Sequence, residues 1–247
     1  MLKPNKLKYD PNLAEKINAT GKKPGSMQTL TIDVALVHND DWQPLDSGIV
    51  VGIKDVGKSR FTYYPIDARK KKIYEDKVDQ WSAYNNGILL RSGSTFTFCT
   101  VSGEHTVITP ASGDGWRAYG GQIYVRRGDA SKSTFLLSDE NGAENEICIA
   151  AYDDWNATKD GIIIRKEDNF SLHTLDGKVA ELYSGPAQHW NACIRGIIVQ
   201  NGDEKESTVS YAPANAEIYK GPVLRWYASP RKLFVQLTEK DFKVITL

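Results

Sequence analysis

Two stretches of this chain set an aromatic pair and a guanidinium at matching positions: Trp81, Tyr84 and Arg91, then Trp116, Tyr119 and Arg126. A flat ring covers the apolar face of a sugar, and a forked cationic donor grips vicinal hydroxyls or a carboxylate. Trp155 with Arg165 and Trp190 with Gln200 repeat the pattern without the second aromatic ring. The chemistry these residue types point to is reversible binding of carbohydrate at several weak sites, with gain from multivalency.

Groups for bond-breaking chemistry are scattered by comparison. The histidines, His38, His105, His173 and His189, occupy non-equivalent places and form no ligand set or nucleophile–base pair with Cys or Asp. No spacing pairs two carboxylates as acid and base. Gly52-Ile53-Lys54-Asp55-Val56-Gly57-Lys58-Ser59 spells a phosphate-binding G-x4-G-K-S. A phosphate loop must open a helix, and Arg60-Phe61-Thr62-Tyr63-Tyr64-Pro65 reads as a strand, so the segment is expected to be a hairpin. No catalysis, metal or cofactor is expected.

The elements that must carry these side chains form a repeat. The six tryptophans, Trp42, Trp81, Trp116, Trp155, Trp190 and Trp226, lie 39, 35, 39, 35 and 36 residues apart. Six positions after each stands Gly48, Gly87, Gln122, Gly161, Gly196 or Lys232, and then an apolar triplet such as Ile49-Val50-Val51 or Ile162-Ile163-Ile164. Turn residues divide each unit into four short strands, so the chain reads as all-β, with six four-stranded repeats of about 37 residues. The sixth repeat stops after its third strand, and Thr29 to Asp41 supplies the missing fourth. A six-bladed β-propeller closed by the N-terminal strand fits this arithmetic. The triplets are unbroken by polar residues, which assigns them to an innermost strand buried on both faces. Two tandem β-trefoils or β-prisms, divided near residue 140 into 1–140 and 141–247, are the alternatives. A tryptophan present in every repeat also suits a packing role, so variation between repeats marks the better binding candidates.

The order of the strands resembles tectonin-type and fucose-lectin propellers, since Ile73-Tyr74, Leu182-Tyr183 and Ile218-Tyr219 each place a Tyr seven residues before the next Trp. Gln80-Trp81 and Gln188-His189-Trp190, each followed by a Gly-Ile strand, are similar to ricin-B-type trefoil lectins. Either resemblance implies a lectin. A non-catalytic protein-interaction module or toxin-associated binding subunit is the alternative, with the lysine-rich extension, residues 1–28, docking a partner.

Composition limits the partners. Lys+Arg and Asp+Glu both number 31, so the formal net charge is zero and nothing global draws the chain to nucleic acid. No window approaches the roughly 18 continuous apolar residues of a spanning helix, and no membrane insertion is expected. Three cysteines without metal-ligand spacing and an N-terminus without an apolar block lead us to expect a protein that is cytoplasmic or released without a signal peptide.

Overall fold

The computed structural model describes residues 8–9, 25–36, 40–55, 57–193, 196–212 and 216–247. Most of the lysine-rich extension, His38 and Val56 lie outside them.

The first, second, third and fifth repeats each form a four-stranded antiparallel sheet hydrogen-bonded in chain order; the fourth does so with one strand added, and the sixth supplies three strands that an N-terminal strand completes. The chain is a six-bladed β-propeller, and the tandem trefoil and prism alternatives fall away because no repeat shares its sheet with the next. The first blade runs Asp41–Leu45, Gly48–Asp55, Lys58–Pro65 and Lys71–Asp76. The second starts at Gln80–Tyr84, the third at Gly115–Tyr119, the fourth at Asp154–Thr158, the fifth at His189–Cys193 and the sixth at Arg225–Ala228. Two compact units contain them: Pro24–Pro110, Ala118–Gly121 and Pro222–Leu247 hold the sixth, first and second blades, and the remainder holds the third, fourth and fifth.

The apolar triplets occupy the second strand of each blade, not the innermost one. They are buried on both faces, as their unbroken apolar character requires, with Ile49, Val50, Val51, Ile88, Leu89, Ile162 and Ile163 all at 0 % exposure. A central strand also has both main-chain edges paired, whereas the tryptophan strand is an edge. Along that edge neighbouring blades meet: Asp41–Leu45 touches Gln80–Tyr84 and Arg225–Ala228, and Asp154–Thr158 touches His189–Cys193.

The glycine six residues after Trp opens the central strand where it crosses the third strand closely. A Cβ on Gly48, Gly87 or Gly161 would run into the carbonyl oxygen of Tyr64, Cys99 or His173. Gly87→Ala is expected to destabilise the protein by about 1–3 kcal/mol, the usual range for forced overpacking, read as a lower urea midpoint with unchanged slope.

The N-terminal strand completes the sixth blade. Met27–Thr31 pairs antiparallel with Asp241–Thr246, placing Leu30 opposite Phe242. It is shorter than the span from Thr29 to Asp41 and starts two residues earlier. After Thr31 the chain leaves the sheet because Ile32 and Leu36 bury themselves against the turn at 237–240, their N–H groups donating to Lys240 O and Glu239 O. A second N-terminal piece, Lys8–Tyr9, adds to the fourth blade as a fifth strand, parallel to Lys178–Ser184.

Candidate functional site

The side chains singled out for sugar binding are distributed by the two-residue period of a strand. Trp81 lies opposite Leu90, while Arg91 lies opposite Gln80, so ring and guanidinium project from opposite faces of the second blade. Tyr84, three residues from Trp81, also takes the face that Trp81 does not. Trp116 and Tyr119 are separated in the same way on their strand, and Trp155 and Arg165 lie opposite Ile164 and Asp154. Neither combination of Trp, Tyr and Arg is assembled on one face.

Instead four of the tryptophans clasp blades. Trp81 sets its ring at 68° to Phe61 of the preceding blade, centroids 5.2 Å apart. Trp155 meets Phe135 at 5.3 Å, Trp190 meets Phe170 at 5.2 Å, and Trp42 meets Phe242 at 4.9 Å, all edge to face. Trp155 is buried, with the guanidinium of Arg117 over its ring. Trp190 is half-buried and donates Nε1–H to Asp154 Oδ2 at 2.8 Å. Trp81 and Trp116 are half-buried as well. Tyr84 is buried against Phe98 and its hydroxyl donates to Gly121 O at 3.0 Å, whereas Tyr119 is half-buried.

The arginines ten residues after Trp brace the hairpin between second and third strands. Arg91 Nε donates to Gly93 O and Arg165 Nε to Glu167 O, each at 2.9 Å, and Arg126 Nη1 donates to Gly128 O. Their guanidinium groups rest over Phe96, Phe170 and Tyr152.

A partner motif was not singled out in the sequence. The residue two before Trp reaches across to the same hairpin: Asp79 accepts from Gly93 N–H at 2.6 Å, Asp114 from Gly128 N–H at 2.8 Å, and Asp153 from Glu167 N–H at 2.6 Å. Gln188 does the same for Gly202 in the fifth blade. The hairpin residues Gly93, Gly128, Glu167 and Gly202 all have positive φ, which turns their N–H groups toward the acceptor. Asp-x-Trp, with Arg ten residues after the Trp and usually Gly two beyond that, was the readable signal. The Glu167 N–H and the Lys166 ammonium hold the Asp153 carboxyl below the usual carboxylate range. Asp41, half-buried on the edge strand of the first blade, is shifted the other way by desolvation.

The Gly-Lys-Ser segment is a hairpin as expected, with Asp55 opposite Lys58. Lys54 and Ser59 on its flanks join Gly52, Phe61, Val78, Asp79 and Trp81 around a depression of about 10 Å³. That is room for about one water and far below a sugar ring. Among the described residues no group of three or more His, Cys, Asp or Glu could hold a metal ion.

No family model matches the chain, and no curated protein matches it. Solved structures match at low identity. The Listeria monocytogenes protein lmo1340 is 10% identical, with 84% of this chain and 78% of that one covered at a TM-score of 0.48. The AfRom2 CNH domain is 9% identical, with 90% and 99% covered at 0.46. BamB from Moraxella catarrhalis is 8% identical, with 81% and 82% covered at 0.39. These likenesses carry no ligand or partner over to this chain.

The three cysteines are buried thiols outside any disulfide, and burial pushes the Cys99 and Cys148 thiols up to about 12. A thiol reagent at pH 8 is expected to leave the native protein unmodified over minutes and to titrate all three cysteines in urea.

Proposed function

We propose that this chain is a non-catalytic protein-interaction scaffold, its blades a rigid frame and its exposed strand edges and hairpin ends the binding surface. The observation that carries the reading is the fifth strand of the fourth blade: an outer edge of the propeller takes up an extended segment by main-chain pairing. Trp81, Trp155, Trp190, Arg91 and Arg165, which would otherwise recommend a sugar ligand, are engaged in holding blades and hairpins.

Displaying a random peptide library against the immobilised full chain tests this, with a glycan array run beside it. Extended peptides should be enriched reproducibly. Enrichment of none, with glycans captured instead, overturns the reading.

Glycan capture is the second reading, supported by the half-open rings of Trp81, Trp116, Tyr119 and Trp190, the last fixed in orientation by Asp154. It requires array binding that Trp81→Ala or Trp116→Ala abolishes. Melting temperature is read alongside, because Trp81 also packs on Phe61.

A further inference from the structure

We propose that the outer edge of the fourth blade, Lys178–Ser184, is the acceptor for an extended segment of a partner protein, added in parallel, and that Lys8–Tyr9 is its short exchangeable occupant in cis. The inference rests on the protein-interaction reading and names its surface.

The edge is built to accept a strand over part of its length. From Val179 to Glu181 it runs in regular register with the third strand, Val179 opposite His173 and Glu181 opposite Ser171. The register then slips, because Tyr183 lies opposite Phe170 and Leu182 is the extra residue of a bulge. A bulge bends and twists a strand and ends continuous pairing, so the usable ladder is Lys178–Glu181. Its centre, Val179-Ala180, carries no charge, and Glu181 is exposed at its end. The outer strand of the first blade differs: Lys71, Lys72, Glu75 and Asp76 load it with charge, a common defence of an open edge.

Among the described residues the cis segment meets two positions of that ladder. Lys8 pairs with Lys178 and Tyr9 with Val179. Continued in register, the sequence would set Asp10 opposite Ala180 and Pro11 opposite Glu181. Proline has no N–H to donate, and neither residue offers Glu181 an opposite charge. A partner that matches the edge therefore has a recognisable chemistry. It is an extended segment of four or more residues, free of proline across the ladder and basic at the position facing Glu181, where a cross-strand pair of opposite charges favours docking. Such a segment makes the bonds that Lys8–Tyr9 makes and adds those that Pro11 cannot.

The test converts the occupant into the better ligand. In the full chain, Pro11→Lys is expected to slow hydrogen exchange at the Val179–Glu181 amides at least tenfold. In trans, a fluorescein-labelled peptide of residues 3–14 carrying Pro11→Lys should bind the wild-type full chain at least tenfold more tightly than the peptide of natural sequence. Glu181→Lys, a change at an exposed position, should weaken that binding at least fivefold while leaving the melting temperature in place. Unchanged exchange in the Pro11→Lys chain, or equal binding of the two peptides, overturns the proposal. If the peptide library is enriched but its binders leave exchange at 178–181 unmoved, this surface is wrong and the protein-interaction reading stands. Absence of any enriched peptide counts against the reading itself.

Discussion

Trp42→Ala is expected to lower the free energy of unfolding by about 3–5 kcal/mol, the range for deleting a buried large aromatic side chain. Trp42 has no exposed surface and joins two blades: its ring meets Tyr227 and Phe242 edge to face, each at 4.9 Å, and its Nε1–H donates to Gln236 Oε1 at 3.0 Å. All three partners belong to the sixth blade, so truncation removes contact between blades along with packing on Ile49, Val51 and Tyr64 of its own. Gln236 keeps a second donor to the same oxygen, Arg225 Nε at 3.1 Å, which leaves the lost packing as the larger part of the effect. For a chain of this size the melting temperature should fall by roughly 10 °C. Trp42→Phe, which keeps a ring and loses the indole donor, should fall between wild type and alanine. Urea melts of the three proteins decide it, and an alanine variant within a degree or two of wild type would mean that the aromatic clasp is not what holds these blades.

Acidification is expected to remove about 3 kcal/mol of stability through His173 alone between pH 6.5 and 4. The side chain is 8% exposed, its Nε2 lies 3.1 Å from Ser171 Oγ, and its buried Nδ1 has no hydrogen-bond partner among the described residues. Desolvation pulls its pKa from the ordinary 6.5 down to about 4. The imidazole is therefore neutral in the fold at pH 5, where the unfolded chain already binds a proton. Stability is full above pH 6.5, declines as pH falls, and levels off once the folded group is protonated near 4. A drop of about 2.5 pKa units at 1.36 kcal/mol each gives the stated size. Glu75, held down to about 2 by Lys58 and Lys72, contributes in a separate window, below the ordinary carboxylate value. His173→Phe should flatten the curve between pH 7 and 4 in urea titrations. An unchanged slope in that variant would assign the pH dependence elsewhere.

The tryptophan frame and the glycine that follows it were legible because both report local geometry: a ring at a strand start and a strand opening against a carbonyl. The closing strand was legible because the sixth repeat has three strands of its own and Thr29 to Asp41 could supply the fourth. What escaped was relational. Three residues along a strand put Trp81 and Tyr84 on opposite faces, and spacing alone had grouped them as one site. Apolar triplets read equally as an innermost or a central strand, since only edge pairing separates the two. The arginines looked free because their acceptors, Gly93 O, Gly128 O and Glu167 O, are main-chain atoms that come within reach only once a positive-φ hairpin has formed. The pairing of Lys8–Tyr9 was invisible for a similar reason. A two-residue ladder needs no side-chain pattern, so it leaves none to read.

The hydroxyl of Thr31 donates to Asp241 across 210 residues of sequence, and that separation sets a timetable. On a ribosome adding about 5–20 residues per second, the strand Met27–Thr31 emerges roughly 10–40 s before its partner exists. Through that interval it must remain an unpaired β segment beside a growing chain. Its composition suits the wait: four of its five residues face solvent in the finished fold, and only Leu30 requires cover. The first blade can be complete while the sixth is still unmade, so the sixth blade gains its fourth strand only when Asp241–Thr246 comes back to a segment made some 210 residues earlier.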